Sequence, residues 1–404
     1  MKAFRQTPEH VPGKYSFHQV AGFTGQPIGC FGGQLEPLLK FMADEAKLDG
    51  VELSTWDLDL RRADTDEGAR AYAKGLVDSC ATYNLTVVSL ATHLQGQCLG
   101  DRASVKTIQF QGGAVVNAYD DWLDAGNTPP EDNPYYVPDD VAKMSRERAV
   151  KDLLAVGRLA QYIGEINGRS IPVSGFVGSA GAWDEISDFP PVPAKCGAGK
   201  VTLNIGNRAE YAIQVIIRRF KPVWDEYKRR GVKFGLESHP GEIGAGDIES
   251  TRRFLMATDA AGYNGTVGLN FDASHLVWQD VDPVEFIVGF ADYIWSVHHK
   301  GVTVRNKRRS RAGVLGGWVG FGFLGRFWDF VYASCDRDST SPEEIIVALN
   351  SIGWDGALTL EMEDTAFDLR ECMVRAAKLL REIDLTPSEG MFDKSFVQST
   401  DAVA

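Results

Sequence analysis

Three carboxylates and one imidazole, far apart in sequence, each stand one step beyond a short apolar run. Glu237 follows Val232 to Leu236, and Asp272 follows Val267 to Phe271. His298 follows Ile294 to Val297, and Glu361 follows Ala357 to Leu360. Residues at the C-terminal ends of the strands of a (β/α)8 barrel converge on one mouth, so these four can meet. Oxygen donors suit hard divalent ions such as Mg2+, and a single imidazole shifts the preference toward Mn2+, Co2+ or Zn2+. The set points to one divalent cation, Mn2+ first. No cysteine stands near these motifs, which argues against a thiolate zinc site.

Further polar groups cluster around the same points. Asp272 and His275 are three residues apart in a strand-to-helix turn, so Asp272 can reach an ion while His275 meets a substrate hydroxyl, a carboxylate or a helix end. His298 and His299 are neighbours on a strand and face opposite sides. We assign His298 to the interior, although the pattern alone also permits His299. Glu52 ends a second strand, where it orients substrate or binds backbone. His93 ends a third strand and faces the mouth. Lys300 can neutralise an oxyanion or form a salt bridge. His239 reads as a supporting group, and Glu242 as a solvated loop acid. Trp56, Phe176, Trp183 and Trp278 can wall a sugar ring, though aromatic residues near barrel loops also serve packing. The basic run Lys307 to Arg311 reads as a solvated loop, or as a site for phosphate or an acidic subunit surface.

Eight βα units can position these groups. The expected strands are Ser16 to Ala21, Gly50 to Ser54, Leu85 to Leu90 and Ile171 to Val177, then Val232 to Leu236, Val267 to Phe271, Ile294 to Val297 and Ala357 to Leu360. Helical segments separate them, among them Val141 to Ile163, Asn207 to Arg229 and Leu369 to Ile383. Alternation of this kind argues for a parallel sheet, and a count of eight favours closure over an open doubly wound sheet. Long insertions follow strands three, four and seven, the side where a barrel keeps its active site. The first runs from Gln95 to Asp140, where Pro129, Pro130, Pro134 and Pro138 are expected to forbid regular structure. Asp139, Asp140, Asp247 and Ser341 read as helix caps. We expect one catalytic domain over residues 1–385 and a tail over 386–404.

Composition narrows the classes. An apolar fraction of 44% supports a large core. A net charge of −13 repels phosphate backbones, which makes nucleic acid a poor partner. Six scattered cysteines without a C-x-x-C pair read as reduced thiols. No apolar run approaches the roughly 20 residues of a membrane helix, and the N-terminal segment lacks a signal-peptide core. The expectation is a soluble cytoplasmic protein, with room for a homo-oligomer.

Leu236-Glu237, Asp272-Ala273-Ser274-His275, Val297-His298-His299-Lys300 and Gly356 to Glu361 together resemble the sugar isomerase/epimerase family with the xylose-isomerase-like TIM-barrel fold. The resemblance implies that Glu237, Asp272, His298 and Glu361 bind one divalent cation and that His275 touches substrate. Glu237 and Glu361 would then be the catalytic carboxylates. His93, Glu52, Lys300 and Trp183 are further candidates for contact with a small carbohydrate. The expected reaction is isomerisation or epimerisation, by proton abstraction next to a carbonyl through an enediolate. A lyase or deglycosidase acting on a 3-keto-glycoside is the alternative. A phosphodiester hydrolase of the endonuclease IV type fits less well, since it needs more histidines. Many relatives carry x-Lys-Asp after the strand-seven histidine, where this chain has Lys300-Gly301. Ketose epimerases carry an arginine where this chain has Val304.

Overall fold

The computed structural model describes residues 18–178, 208–240, 242, 244–314 and 326–385. Eight parallel strands close into a barrel. They are β1 (Val20–Phe23), β2 (Gly50–Ser54), β3 (Thr86–Ala91), β4 (Pro172–Gly175), β5 (Lys233–Glu237), β6 (Val267–Asp272), β7 (Ile294–His299) and β10 (Leu358–Leu360). The order around the barrel is β1-β10-β7-β6-β5-β4-β3-β2. This is the (β/α)8 architecture, with helices outside. Strands covered on both faces need near-continuous apolar runs. Phe234, Leu236, Leu269, Val297 and Leu358 are accordingly buried in one continuous core.

Small differences at strand ends matter here because they decide what reaches the mouth. β5 extends to Glu237, β6 to Asp272 and β7 to His299, so three candidate ligands are themselves strand residues. β1 lies later than expected, at Val20–Phe23, and pairs with both β10 and β2.

The segment after β3 is more regular than its prolines suggest. Helices span His93–Gly100, Val105–Gln111 and Gly113–Asp124, and the prolines begin only beyond them. The second of these starts in a capping box between Ser104 and Thr107. Ile108, Val115, Tyr119, Val137 and Val141 form a small core of their own beneath them. Asp139 and Asp140 fall in the first turn of the Asp139–Asn167 helix, with Pro138 at the cap position. Asp247 does cap Ile248–Ala260, accepting from Glu249 N and Ser250 N. Ser341 makes no cap bond: its backbone is left-handed at φ 56°, not the extended conformation of a capping residue, and Pro342 opens the helix.

The insertion after β7 also carries structure. β8 (Gly301–Val304) pairs antiparallel with β9 (Trp328–Val331). Trp278 stacks on Trp328 at 5.0 Å, and Val302 and Phe327 complete that apolar cluster. Asp338 ties the ribbon down by accepting from Val302 N and Ser334 N. Gly301 permits this, because a Cβ there would press on the Asp338 carboxylate. Between the strands, Asn306–Ala312 is helical, so the basic run is not a loop. Among the described residues, no helix is long and apolar enough to cross a membrane. Trp183 and the 386–404 tail lie outside the described residues.

Candidate metal centre

Strand register brings the four candidate ligands together. Asp272 stands opposite His298 across the β6–β7 pair, and Thr359, two residues before Glu361, stands opposite His298 on the other side. One donor atom from each of Glu237, Asp272, His298 and Glu361 lies within 4.8 Å of all the others. All four side chains are buried.

The imidazole has its two nitrogens in different surroundings. His298 Nε2 lies 2.8 Å from Glu52 Oε1, deep in the barrel. Its Nδ1 faces Glu361 Oε2 at 3.3 Å and Glu237 Oε2 at 3.4 Å, yet has no hydrogen-bond partner. Asp272 Oδ1 accepts from Ser274 N, whereas Oδ2 also has no hydrogen-bond partner. Buried polar atoms without a hydrogen bond are costly. Here two of them point into one space that carboxylate oxygens also enter. A divalent cation fits that space by the chemistry of its donors. The Glu52 carboxylate behind the imidazole is the usual arrangement for orienting a ligating histidine.

Neighbouring charges hold the two glutamates ionised and favour a proton on His298 that must leave before its Nδ1 can ligate. Burial pushes the Glu237 carboxyl up, but His93 and His298 hold it well below its ordinary range. Burial likewise opposes ionisation of Glu361, and Lys300 and His298 overcome it. Burial pushes His298 down, while Glu52 and Glu237 hold it well above an ordinary histidine.

Supporting contacts fix each carboxylate. Glu237 Oε2 takes His93 Nε2 at 2.6 Å and Asn270 Nδ2 at 3.1 Å, and its Oε1 lies 2.9 Å from His275 Nε2. Lys300 Nζ is 2.8 Å from Glu361 Oε2. The Glu52 carboxylate does not open to the mouth. His298, Ser89 and Ser174 occupy both of its oxygens, so it holds the imidazole. His299 turns outward to Ser334 Oγ. Glu242 is buried rather than solvated. It accepts from Val177 N, and burial, with Asp101 nearby, raises its carboxyl well above the ordinary range. His239 packs edge-on against His275 at 4.4 Å, and burial lowers it well below an ordinary histidine. Phe176 lies between His93 and His239, Trp278 is packed in the ribbon cluster, and Trp56 remains 43% exposed at the rim.

Three residues at the site escaped sequence reasoning. Gln26 Nε2 donates to Glu361 Oε1 at 2.8 Å and to Glu363 Oε1 at 3.0 Å. Phe330, on β9, sets its ring edge against His275 at 5.3 Å. A cavity of about 490 Å³ beside them is lined by Gln26, Arg326, Phe330, Glu363 and Thr365. Glu363 had a signal, two residues beyond Glu361. Gln26 and Phe330 had none, because their positions depend on a turn and on a ribbon within an insertion.

Residues 181–383 match the model of the xylose isomerase-like TIM barrel family. The chain belongs to that family. A stretch of 98 residues is 32% identical to the uncharacterized protein YfiH of Bacillus subtilis (strain 168), covering 24% of this chain. The match spans 31% of that relative's length. Among solved structures, the probable 3-DHS dehydratase AsbF of Bacillus anthracis aligns over 90% of this chain and 98% of its own, with a TM-score of 0.53 and 14% identity. The 3-keto-D-glucoside 4-epimerase YcjR of E. coli aligns over 90% and 99%, with a TM-score of 0.50 and 12% identity. At such identities these two structures share the barrel fold with this chain. The candidate metal centre of this chain rests on its own geometry.

Proposed function

We propose that this protein is a sugar isomerase or epimerase that depends on a divalent cation, Mn2+ before Mg2+, Co2+ or Zn2+, and moves a proton next to a carbonyl. The observation that carries the reading is the convergence of Glu237, Asp272, His298 and Glu361 at the barrel mouth. These four residues would hold the ion. A bound cation supplies Lewis-acid polarisation of the substrate carbonyl, which makes the neighbouring C–H acidic.

The chain's own groups then handle the proton. Glu237 and Glu361 enter the site from different strands, and both are held ionised. One removes the proton and the other returns it, each group contributing about 10²- to 10⁴-fold. Return to the opposite face of the same carbon gives an epimer; return to the neighbouring carbon gives an aldose–ketose isomer. His93 orients Glu237 through its 2.6 Å contact. His275 and Lys300 would meet substrate oxygens, and Phe330 supplies an apolar wall to the neighbouring cavity.

The test is a panel of sugars with Mn2+ in heavy water, read as deuterium entering exchangeable C–H positions. Glu237→Gln and Glu361→Gln are each expected to abolish exchange while circular dichroism stays native. Full activity in either variant overturns the assignment. Release of an aglycone from a 3-keto-glycoside would identify elimination in place of isomerisation.

A further inference from the structure

Lys300 is the one buried lysine among the described residues. It follows His298 by two positions and turns its ammonium into the cluster. Nζ lies 2.8 Å from Glu361 Oε2, 3.3 Å from Asp272 Oδ2 and 3.7 Å from Glu363 Oε1. Its charge rests over the Phe330 ring, 4.5 Å from the centroid. His275 Nε2 is 3.2 Å away. Burying an ammonium is costly unless opposite charge surrounds it. Here two of the surrounding carboxylates are candidate metal ligands, and Asp272 Oδ2 is one of the atoms without a hydrogen-bond partner.

We propose that Lys300 is a built-in counter-cation that competes with the divalent ion for the charge of Asp272 and Glu361, and so sets how tightly the ion is held. This inference rests on the metal reading above. Glu237, Asp272 and Glu361 carry three negative charges, which a divalent ion alone leaves at minus one. Lys300 offsets the charge that remains on these three ligands. A fixed positive charge beside the ion must weaken its binding. The same charge lets the loaded site accept the one negative charge that develops on a sugar oxygen during proton removal. Removing it should therefore tighten the ion and slow turnover. A merely structural lesion would weaken both.

The experiment is a calorimetric Mn2+ titration of the full chain after chelation. Lys300→Met should lower Kd by about tenfold or more, the scale of one unit charge a few Å away. Lys300→Arg, which keeps the charge, should stay near wild type. Lys300→Gln keeps a donor of similar length without charge and should also bind Mn2+ more tightly, which covers the case in which the methionine variant does not fold. An unchanged or weaker Kd in a folded neutral variant overturns the role of Lys300 and leaves the metal site standing. Failure of wild type to bind Mn2+ overturns the metal reading and this inference with it.

Discussion

Glu52 Oε1 lies 2.8 Å from His298 Nε2, although β2 and β7 stand three strands apart around the barrel. The contact reserves one imidazole nitrogen for the barrel interior and leaves Nδ1 for the mouth. A carboxylate in this position orients the ring and raises its basicity as a ligand. Glu52→Gln keeps the shape and removes the charge. Its Mn2+ affinity should fall about 10- to 100-fold by calorimetry, the usual cost of losing such a partner. Unchanged affinity would show that His298 does not ligate.

The two adjacent histidines give a second comparison. His298 faces the carboxylates, whereas His299 faces Ser334. His298→Ala should lose measurable Mn2+ binding. His299→Asn should retain it, with a small loss of thermal stability. Equal losses in both would mean that strand alternation does not separate their roles.

That alternation is also why much of the site is legible in the sequence alone. Glu237, Asp272, His298 and Glu361 each follow an apolar run, and barrel closure converts that local pattern into convergence. Glu52 is legible as a strand acid, though it lies mid-strand rather than at the end, and its burial behind His298 depends on the barrel's cross-section, which no local pattern reports. Glu242 resembles a loop acid in sequence because its donors, led by Val177 N, come from another strand's exit. Phe330 reaches the site on an antiparallel ribbon held by Asp338 and the Trp278–Trp328 stack, all long-range contacts. The helices after β3 are obscured because the prolines of that segment cluster at its far end.

One of those helices bears directly on the centre. His93 is the first residue of His93–Gly100, which lies against the exit of β4. A Cβ at Gly100 would collide with Val177 O, and one at Gly96 with Phe176 O. Backbone carbonyls cannot swing aside as a side-chain end can. Gly100→Ala should therefore cost about 1 to 3 kcal/mol in denaturant unfolding, the range for overpacking a tight contact. The helix must lift to relieve the clash, which carries His93 away from Glu237. Catalytic exchange should fall with stability. A variant of native stability and activity would show that the helix slides without strain.

The turn after β2 supplies a pH-dependent case outside the ion's contacts. Burial pushes the Asp57 carboxyl from its ordinary 3.8 up to about 6, and bonds from Thr24 Oγ1 and Ser54 N draw it only part of the way back. Below about pH 3 the group is neutral in both folded and unfolded chains and has no effect on stability. As pH rises toward 6, the unfolded chain ionises first, so the folded state loses stability until its own carboxyl ionises. A carboxyl raised that far disfavours the folded state by about 3 kcal/mol once both chains are ionised, which partial exposure of the side chain reduces to about 1 to 2. Asp57→Asn removes the ionisation and keeps an oxygen for Thr24. It should be more stable than wild type by that amount near pH 7.5, with the difference vanishing near pH 3. Urea unfolding across that range measures both ends. A variant less stable than wild type at every pH would mean that the ionised carboxylate's bonds to Thr24 and Ser54 outweigh its burial.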